Sequence, residues 1–209
     1  MLKFVLSFVF LFAVQSHAQN TTTSRAVLQG QVPQFSDLYN RFGAGISFSP
    51  ISGKVTSKSQ TPGITGSSSD TESGKALGVE AHYMTFLNGP LGVKAALGYM
   101  KSDIEDADLK TIMAKTSGLV ALNGQAVLEL GLNVSKTKVE SISLDAGIGF
   151  QLGINYLINR NAMFNVSYVN FSSDKDFRDD SYIDEIGKPL DYNTELKLSG
   201  LQAGISYLF

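Results

Sequence analysis

The chain has 209 residues with 17 basic and 19 acidic side chains, so its formal net charge is −2. It contains no cysteine, which excludes disulfide bonds and thiolate metal sites. The near balance of charge leaves no basic footprint for nucleic acid, and the length fits one domain.

The N-terminus carries the pattern of an export signal. Lys3 precedes an apolar run from Phe4 to Val14, and Ser16-His17-Ala18 offers the small residues that signal peptidase recognises. A run of about eleven residues is too short to cross a bilayer as a helix. We therefore predict a cleaved signal peptide over residues 1–18, and without a following cysteine we expect no lipoprotein anchor.

The segment 19–37 is polar with little periodicity, and we interpret it as a periplasmic lead-in. From Leu38 to Phe209 the pattern has a period of two, which is typical of strands whose two faces meet different surroundings. No run of about 18 apolar residues follows the predicted cut. A membrane-spanning structure here would therefore have to be a closed β-barrel over residues 38–209.

About eight alternating runs follow in chain order, and the sixth, from Leu144 to Tyr156, is the clearest. In the last run, Leu196 and Leu198 fall on the opposite parity to Leu201, so a β-bulge is predicted near Gly200. The runs are Phe42–Phe48, Leu77–Met84, Leu91–Tyr99, Ile112–Leu122, Ala126–Val134, Leu144–Tyr156, Ala162–Phe171 and Leu196–Phe209.

The connections alternate in length. Short turns are predicted at Asn88–Pro90, Asn123–Gly124 and Asn159–Asn161, because Asn and Gly tolerate the positive φ of tight turns. The intervening segments are Pro50–Gly74, Lys101–Thr111, a brief one at Lys136–Ser141, and Asp174–Asn193. This predicts an all-β fold: a transmembrane, antiparallel, up-and-down β-barrel of about eight strands, with short periplasmic turns and longer extracellular loops.

Two further features favour a membrane barrel over a soluble one. The face opposite the large apolar residues is rich in Gly, Ala and Ser, which suits a narrow interior better than a solvated surface. Aromatic residues also cluster near both ends of the runs, as interfacial girdles do. The predicted girdles contain Tyr39, Phe86, Tyr156, Phe164, Tyr207 and Phe209 at the turn end, and Phe48, Tyr99, Tyr168 and Phe171 at the loop end.

The C-terminus carries a recognisable pattern of alternate apolar residues ending in an aromatic one: Leu201, Ala203, Ile205, Tyr207 and Phe209. It resembles the signal by which the barrel-assembly machinery recognises outer-membrane barrels. From Leu38 to Phe209 the chain is similar to small eight-stranded outer-membrane proteins of Gram-negative bacteria, a group that includes OmpX/Ail adhesin-like proteins, the OmpA membrane domain and the OmpW type. The resemblance implies an outer-membrane location, contact with membrane lipid and lipopolysaccharide, and a monomer.

Five charged residues fall on the predicted inward face: Arg41, Glu80, Lys94, Glu129 and Asp145. Charges inside so narrow a barrel must pair, because unpaired burial is costly. We expect a salt-bridge network that plugs the lumen; the alternative is a gated polar path for ions.

Catalytic, metal and cofactor sites are not predicted. His82 lies two residues from Glu80 on the same face, but no nucleophile motif accompanies it, so a lipid A-modifying enzyme is a third and weaker hypothesis. The fourth loop is acidic over residues 174–185, yet Arg178 stands where a calcium loop needs an oxygen ligand. A solvated loop is the favoured interpretation.

The sequence thus favours a non-enzymatic barrel with a structural role or a cell-surface interaction role through its extracellular loops. The alternative is porin-like: a narrow channel or conduit for ions or hydrophobic solutes, as in the OmpW type.

Overall fold

The structure is a computed structural model that describes residues 38–60, 66–87, 89–104, 107–183 and 189–209, with the side chains of 178–190 left aside. The predicted signal peptide and lead-in lie outside these ranges. The described residues form nine strands: β1 (Arg41–Ser59), β2 (Ser67–Phe86), β3 (Leu91–Ile104), β4 (Ala107–Ala121), β5 (Ala126–Val139), β6 (Ile142–Ser143), β7 (Gly147–Asn159), β8 (Ala162–Ile183) and β9 (Pro189–Leu208).

The strands close into an antiparallel barrel. Each long strand pairs with its neighbours in chain order, and β9 pairs back with β1, so eight strands form a ring. The two-residue β6 is an extra strand paired only with the end of β5. The predicted fold class is therefore confirmed. Within the described ranges, no helix is long and apolar enough to cross a membrane.

The ladder registers set the tilt of the wall. A path that goes once around the ring, from each residue to its partner on the next strand, starts on β1 at Ile51. It returns to β1 at Arg41, ten positions nearer the periplasmic end. A stagger of this size in an eight-stranded barrel requires strands tilted by about 40°. The path runs through Ile51, Gly200, Val169, Gln151, Gly131, Ser117, Lys94, Met84 and Arg41.

The outward face carries a continuous apolar band. Ile46, Leu130 and Ile148 are 63%, 62% and 70% exposed, and their neighbours on the same face are also large and apolar. Surface of this kind is stable in lipid and not in water. Most residues of the predicted aromatic girdles lie on this face, but Phe86 and Phe171 are 3% and 1% exposed. These two point inward, so their assignment to the girdles is wrong.

Segments predicted as loops are largely strand. The ladder between β1 and β2 continues from Arg41 paired with Met84 to Lys58 paired with Ser67, through most of Pro50–Gly74. The ladder between β8 and β9 likewise continues to Asp179 paired with Leu190. Main-chain hydrogen bonds form between Ser- and Thr-rich segments as readily as between apolar ones. The composition of these segments therefore did not indicate that they pair as strands.

The predicted bulge near Gly200 is wrong. Leu196, Leu198 and Gln202 are all buried on one inward parity, so β9 does not shift its faces. Instead, the β1–β9 ladder is interrupted at Ser49 and Pro50 and resumes in the same register. Pro50 has no N–H to donate. The Ser49 hydroxyl donates to the carbonyl of Leu201 at 2.9 Å, and a Cβ at Gly200 would strike the carbonyl oxygen of Pro50, so glycine permits this close approach.

Candidate functional site

The periplasmic end of the lumen is closed by an apolar cluster, here called the lower plug. Leu38, just before β1, is 1% exposed and turns its side chain into this cluster. Burial of this many large side chains excludes water from the periplasmic opening. The lower plug consists of Leu38, Met84, Phe86, Leu119, Val127, Leu157, Met163 and Leu208.

Above the lower plug lies an ionic layer formed by Glu80, Lys94, Lys115 and Glu129. The Lys94 ammonium lies 3.0 Å from Glu80 Oε1 and 3.3 Å from Glu129 Oε2, so it bridges both carboxylates. Lys115 Nζ lies 2.8 Å from Glu80 Oε2. Two cations therefore face two anions, and the layer has no net charge when all four groups are ionised.

Neutral side chains complete the hydrogen bonding of Glu129. Its carboxylate accepts from the Ser117 hydroxyl at 2.9 Å and from Asn155 Nδ2 at 2.9 Å. Gln151 Nε2 donates to the same carboxylate and to the Ser117 hydroxyl. A buried charge is tolerated when its partners are so complete. The arrangement is that of a rigid plug.

The ionic layer contains a residue that the sequence reasoning missed. Lys115 lies on β4 and points into the lumen, as Met113 and Ser117 do. The residues of this run were not assigned to an inward and an outward face from the sequence. The signal was present nonetheless: a lysine in the middle of a membrane strand cannot face lipid without a large cost, so it must face the lumen.

Arg41 and Asp145 do not join the ionic layer. Arg41 lies at the periplasmic end, where its Nη2 donates to the carbonyl of Arg160 at 2.8 Å. Asp145 is exposed, and its backbone N–H donates to the carbonyl of Asp174 at 2.8 Å. The alternation of the sixth run breaks here, because Leu144 is buried and Gly147 is the next inward residue.

His82 is buried beside the ionic layer. Its Nδ1 lies 3.5 Å from Glu80 Oε1, and neither ring nitrogen has a hydrogen-bond partner among the described residues. A general base needs a nucleophile within hydrogen-bond reach and access for substrate. His82 has neither here, so the enzyme hypothesis gains no support from this site.

A second apolar cluster, the upper plug, closes the lumen towards the extracellular side. Phe171 and Leu198 are 1% and 0% exposed at its centre. Between the plugs, the cavity beside the ionic layer measures only about 10 Å³, at the lower limit for one water. The upper plug consists of Ile51, Ala76, Met100, Ile104, Leu109, Met113, Leu144, Val169, Phe171, Leu196 and Leu198.

The upper plug forms the floor of an open hollow, the mouth cup, at the extracellular end of the barrel. The mouth cup has a volume of about 230 Å³ and a mostly apolar lining. Val55, Val139 and Phe177 form part of its walls, and the carboxylates of Asp70 and Glu72 line it as well. It opens towards the extracellular side and is wide enough for a small solute.

The C-terminal residues that resemble an assembly signal lie on β9 or, in the case of Phe209, directly after it, and they face outward. Leu201, Ile205, Tyr207 and Phe209 are 59%, 47%, 56% and 67% exposed, and Ala203 is exposed beside them. The acidic segment 174–185 is mostly the end of β8, and Asp176 accepts from Asn193 Nδ2 at 2.8 Å. The described residues contain no group of three or more potential metal ligands of the His, Cys, Asp and Glu types.

Comparisons with known proteins find solved structures of outer-membrane proteins but no related sequence. No protein-family profile and no curated protein sequence matches the chain. Among solved structures, the outer membrane protein OprG from Pseudomonas aeruginosa is 14% identical, with a TM-score of 0.52 over 82% of this chain and 96% of that chain. Neisserial surface protein A is 15% identical, with a TM-score of 0.45 over 80% and 97%. Ail of Yersinia pestis is 16% identical, with a TM-score of 0.42 over 82% and 99%.

At 14% identity, the likeness to OprG concerns the fold alone. The strand pairing and the exposed apolar band indicate the same fold independently of that likeness. A closed ring of strands removes every free edge within the bilayer, and the exposed apolar band requires lipid around it. The chain is a small outer-membrane protein built as a closed, eight-stranded, antiparallel β-barrel.

Proposed function

We propose that the protein is a cell-surface interaction protein, in which a sealed barrel supports a projecting sheet outside the membrane. The observation that carries this proposal is the unequal height of the wall. The β2–β3 ladder stops at Gly74 paired with Ile104, and the β7–β8 ladder stops at Gly149 paired with Phe171. The strands β8, β9, β1 and β2 continue beyond these points as a four-stranded sheet.

The projecting sheet is held by contacts between its strands. The rings of Phe177 and Tyr192 stack with centroids 5.5 Å apart, and the hydroxyls of Ser57 and Thr194 lie 3.0 Å apart. Cross-strand contacts of this kind stabilise a sheet by up to about 1 kcal/mol each. The sheet is therefore a defined surface that lies clear of the lipid.

The projecting sheet ends in two edge strands: residues 67–71 of β2, and the part of β8 beyond Asp174, have no further strand paired on their outer side among the described residues. An unpaired edge offers a row of backbone donors and acceptors that an extended segment of another protein can use. The sealed lumen supports the same proposal, because a barrel that passes nothing through its centre has its accessible chemistry outside.

Shortened hairpins test this proposal. Val55 is paired with Asp70, and Asp174 with Glu195, so replacing residues 56–69 or 175–194 by Asn-Gly leaves a closed two-residue turn above an intact barrel. We expect cells that display the native chain to adhere to epithelial monolayers or to immobilised matrix proteins about tenfold better than cells with both hairpins shortened. Equal adherence at equal surface amounts, with heat-modifiable gel mobility retained, would refute the surface role.

The mouth cup favours a second candidate, the binding of small apolar solutes. Its volume is below the range of about 300–1,000 Å³ that is usual for drug-sized ligands, so only a small molecule fits. Passage onward is blocked by the upper plug, the ionic layer and the lower plug. A bound solute would therefore stay on the extracellular side.

We expect planar bilayers that contain the refolded mature protein to be electrically silent. A small apolar dye should bind to the native protein but not to the Val139→Asp variant, because the new carboxylate places a charge in the mouth cup. The matched control is Ser69→Asp, which adds the same single negative charge at an exposed position of the projecting sheet. Steady discrete openings would make the ionic layer a path and replace both candidates by a channel.

Three further properties are part of the proposal. The assembly signal is formed by alternate residues at the C-terminal end, and their exposure on the outward face supports this role: Leu201, Ala203, Ile205, Tyr207 and Phe209. Residues 1–18 are removed on export. The mature barrel is a monomer, because its closed ladder leaves no unpaired edge within the apolar band.

A further inference from the structure

The charged side chains at the extracellular end of the barrel are divided unequally between its two faces. Side chains alternate along a strand, and the lysines above the membrane on β1 to β5 and β9 all fall on the outward face. In the strands that the structure describes, three charged residues at this end have the inward parity instead: Asp70 and Glu72 on β2, and Lys175 on β8. The outward lysines are Lys54, Lys58, Lys75, Lys101, Lys110, Lys136, Lys138 and Lys197.

The mouth cup receives its negative charge on one wall. Asp70 is paired with Val55 and Glu72 with Gly53, and all four residues line the cup. The other described residues that line it are apolar except for Thr194, and none of them is a lysine or an arginine. A molecule in the cup therefore has carboxylates on one side and hydrocarbon on the others.

The carboxylate of Asp70 is available to a ligand. Its Oδ1 accepts from the backbone N–H of Thr71 at 2.8 Å. Among the described residues, no lysine, arginine or histidine nitrogen lies within 4.0 Å of it. A carboxylate at the edge of an apolar hollow attracts a cation more strongly than one in open water, because less of its field passes through solvent.

Lys175 limits the ligand without neutralising Asp70. Its ammonium donates to the carbonyl of Ser143 at 3.1 Å and lies 5.7 Å from the centre of the Phe177 ring. Three strand spacings separate it from Asp70, about 14 Å along the sheet, which exceeds the screening length of about 8 Å. A ligand with a second positive charge at the Phe177 side of the cup would be repelled by Lys175, so a single charge suits the cup best.

We propose that the mouth cup binds small organic monocations, in which one ammonium is attached to a compact apolar group. The ammonium contacts Asp70 at the rim, and the apolar group lies on the floor that the upper plug provides. The ammonium–carboxylate contact is charge-assisted, and removal of the apolar group from water adds to the binding. This inference rests on the second candidate function, solute binding by the mouth cup, and names the class of solute.

Three probes that share one ring and differ in charge test the inference: benzylammonium, benzyl alcohol and benzoate. Each is titrated into the refolded mature protein in zwitterionic nanodiscs, and binding is followed by the NMR amide signals of Val55 and Val139, which line the cup. Benzylammonium should bind about tenfold more tightly than benzyl alcohol. Benzoate should bind most weakly, because the carboxylates of the cup repel it.

Asp70→Asn tests the assigned carboxylate. The ratio of the benzylammonium affinity to the benzyl alcohol affinity should fall from about ten to about two, since Glu72 remains. Asp103→Asn is the matched control: it removes the same charge from an exposed position on the outward face, and the ratio should stay near ten. An unchanged ratio in Asp70→Asn would overturn the proposal.

A second pair of variants tests the location. Ala107 lines the cup, so Ala107→Leu should fill part of it and weaken the binding of all three probes, whereas Ala126→Leu at the periplasmic end of β5 should not. Heat-modifiable gel mobility shows that each variant has folded. If benzyl alcohol binds the native protein as tightly as benzylammonium, this inference is overturned and the second candidate function stands. If none of the three probes shifts the signals, both are overturned.

Discussion

Either Lys94→Met or Glu129→Gln alone should lower the free energy of unfolding of the barrel by about 3 kcal/mol, because each leaves unbalanced charge in a dry interior. Without Lys94, Glu80 keeps its ion pair with Lys115, whereas Glu129 loses its ion pair with Lys94. With Gln at position 129, Lys94 and Lys115 face only Glu80. The ammonium of Lys94 has contacts of 3.0 and 3.3 Å to lose.

The double variant should lose only about 3 kcal/mol in total, half of what the two single losses would give if they were additive. Lys94→Met with Glu129→Gln leaves the Glu80–Lys115 pair at 2.8 Å, and the new amide oxygen still accepts from Ser117 or Gln151. We therefore expect a coupling free energy of about 3 kcal/mol in a double-mutant cycle. Additive losses would show that the four groups do not act as one layer.

Equilibrium unfolding in urea, with the barrel in lipid vesicles, measures these energies. Circular dichroism and gel mobility are the signals to follow, since the chain has no tryptophan for fluorescence. Glu195→Gln is the control: it breaks the exposed Lys197–Glu195 pair at 3.2 Å and should cost less than about 1 kcal/mol.

Gly147→Ala should destabilise the barrel by about 3 kcal/mol, since a Cβ at this position would strike the backbone carbonyl of Ser172. That neighbour is main chain on β8 and cannot rotate away as a side chain would. The start of β7 would have to separate from β8. The same urea titration measures the loss.

Gly118→Ala is the matched control for this prediction. It is also a glycine within a strand, but its nearest neighbour is the carbonyl oxygen of Leu130 at an ordinary 3.9 Å. Its effect should stay within about 1 kcal/mol, with a slight gain as the favoured sign because alanine restricts the unfolded chain. Equal losses at the two positions would contradict the prediction, because they would show that the backbones of β7 and β8 lie farther apart at Gly147 than in the structure.

Much of the fold could be predicted from the sequence because a membrane imposes strict alternation. Glu80, Lys94 and Glu129 fall on the inward parity by counting alone, and the structure brings these three together. Counting could not place Asp145, because the alternation breaks at Leu144 and a period of two holds only within an unbroken strand.

The two plugs were harder to predict, and for a different reason. A large apolar residue in a membrane strand can face lipid or a dry lumen, and hydropathy does not distinguish the two. Phe86 and Phe171 were assigned outward on this ground and lie inward. The ladder registers, which set the stagger of the ring, are a property of strand pairs and are not written in any one run.

The projecting sheet was not predicted, because the composition of its segments indicated loops and the pairing of its strands could not be read from the sequence. Pro50–Gly74 is rich in Ser, Thr and Gly, which is typical of loops, yet its two halves pair almost throughout. What holds them is main-chain hydrogen bonding started by the membrane-embedded part of the same two strands. A hairpin already in register at its base extends at little extra entropic cost.

The gap at Ser49 and Pro50 has a mechanical consequence for a protein attached at its outer end. A pull on the β1–β2 hairpin alone runs along its two strands, so it loads the β1–β9 seam in shear. The gap divides that seam into an outer block, Ile51–Ser59 with Tyr192–Gly200, and an inner block, Gly43–Phe48 with Ala203–Leu208. Because the two blocks share a register but no hydrogen bond at Pro50, the outer block can yield under tension while the inner one stays closed.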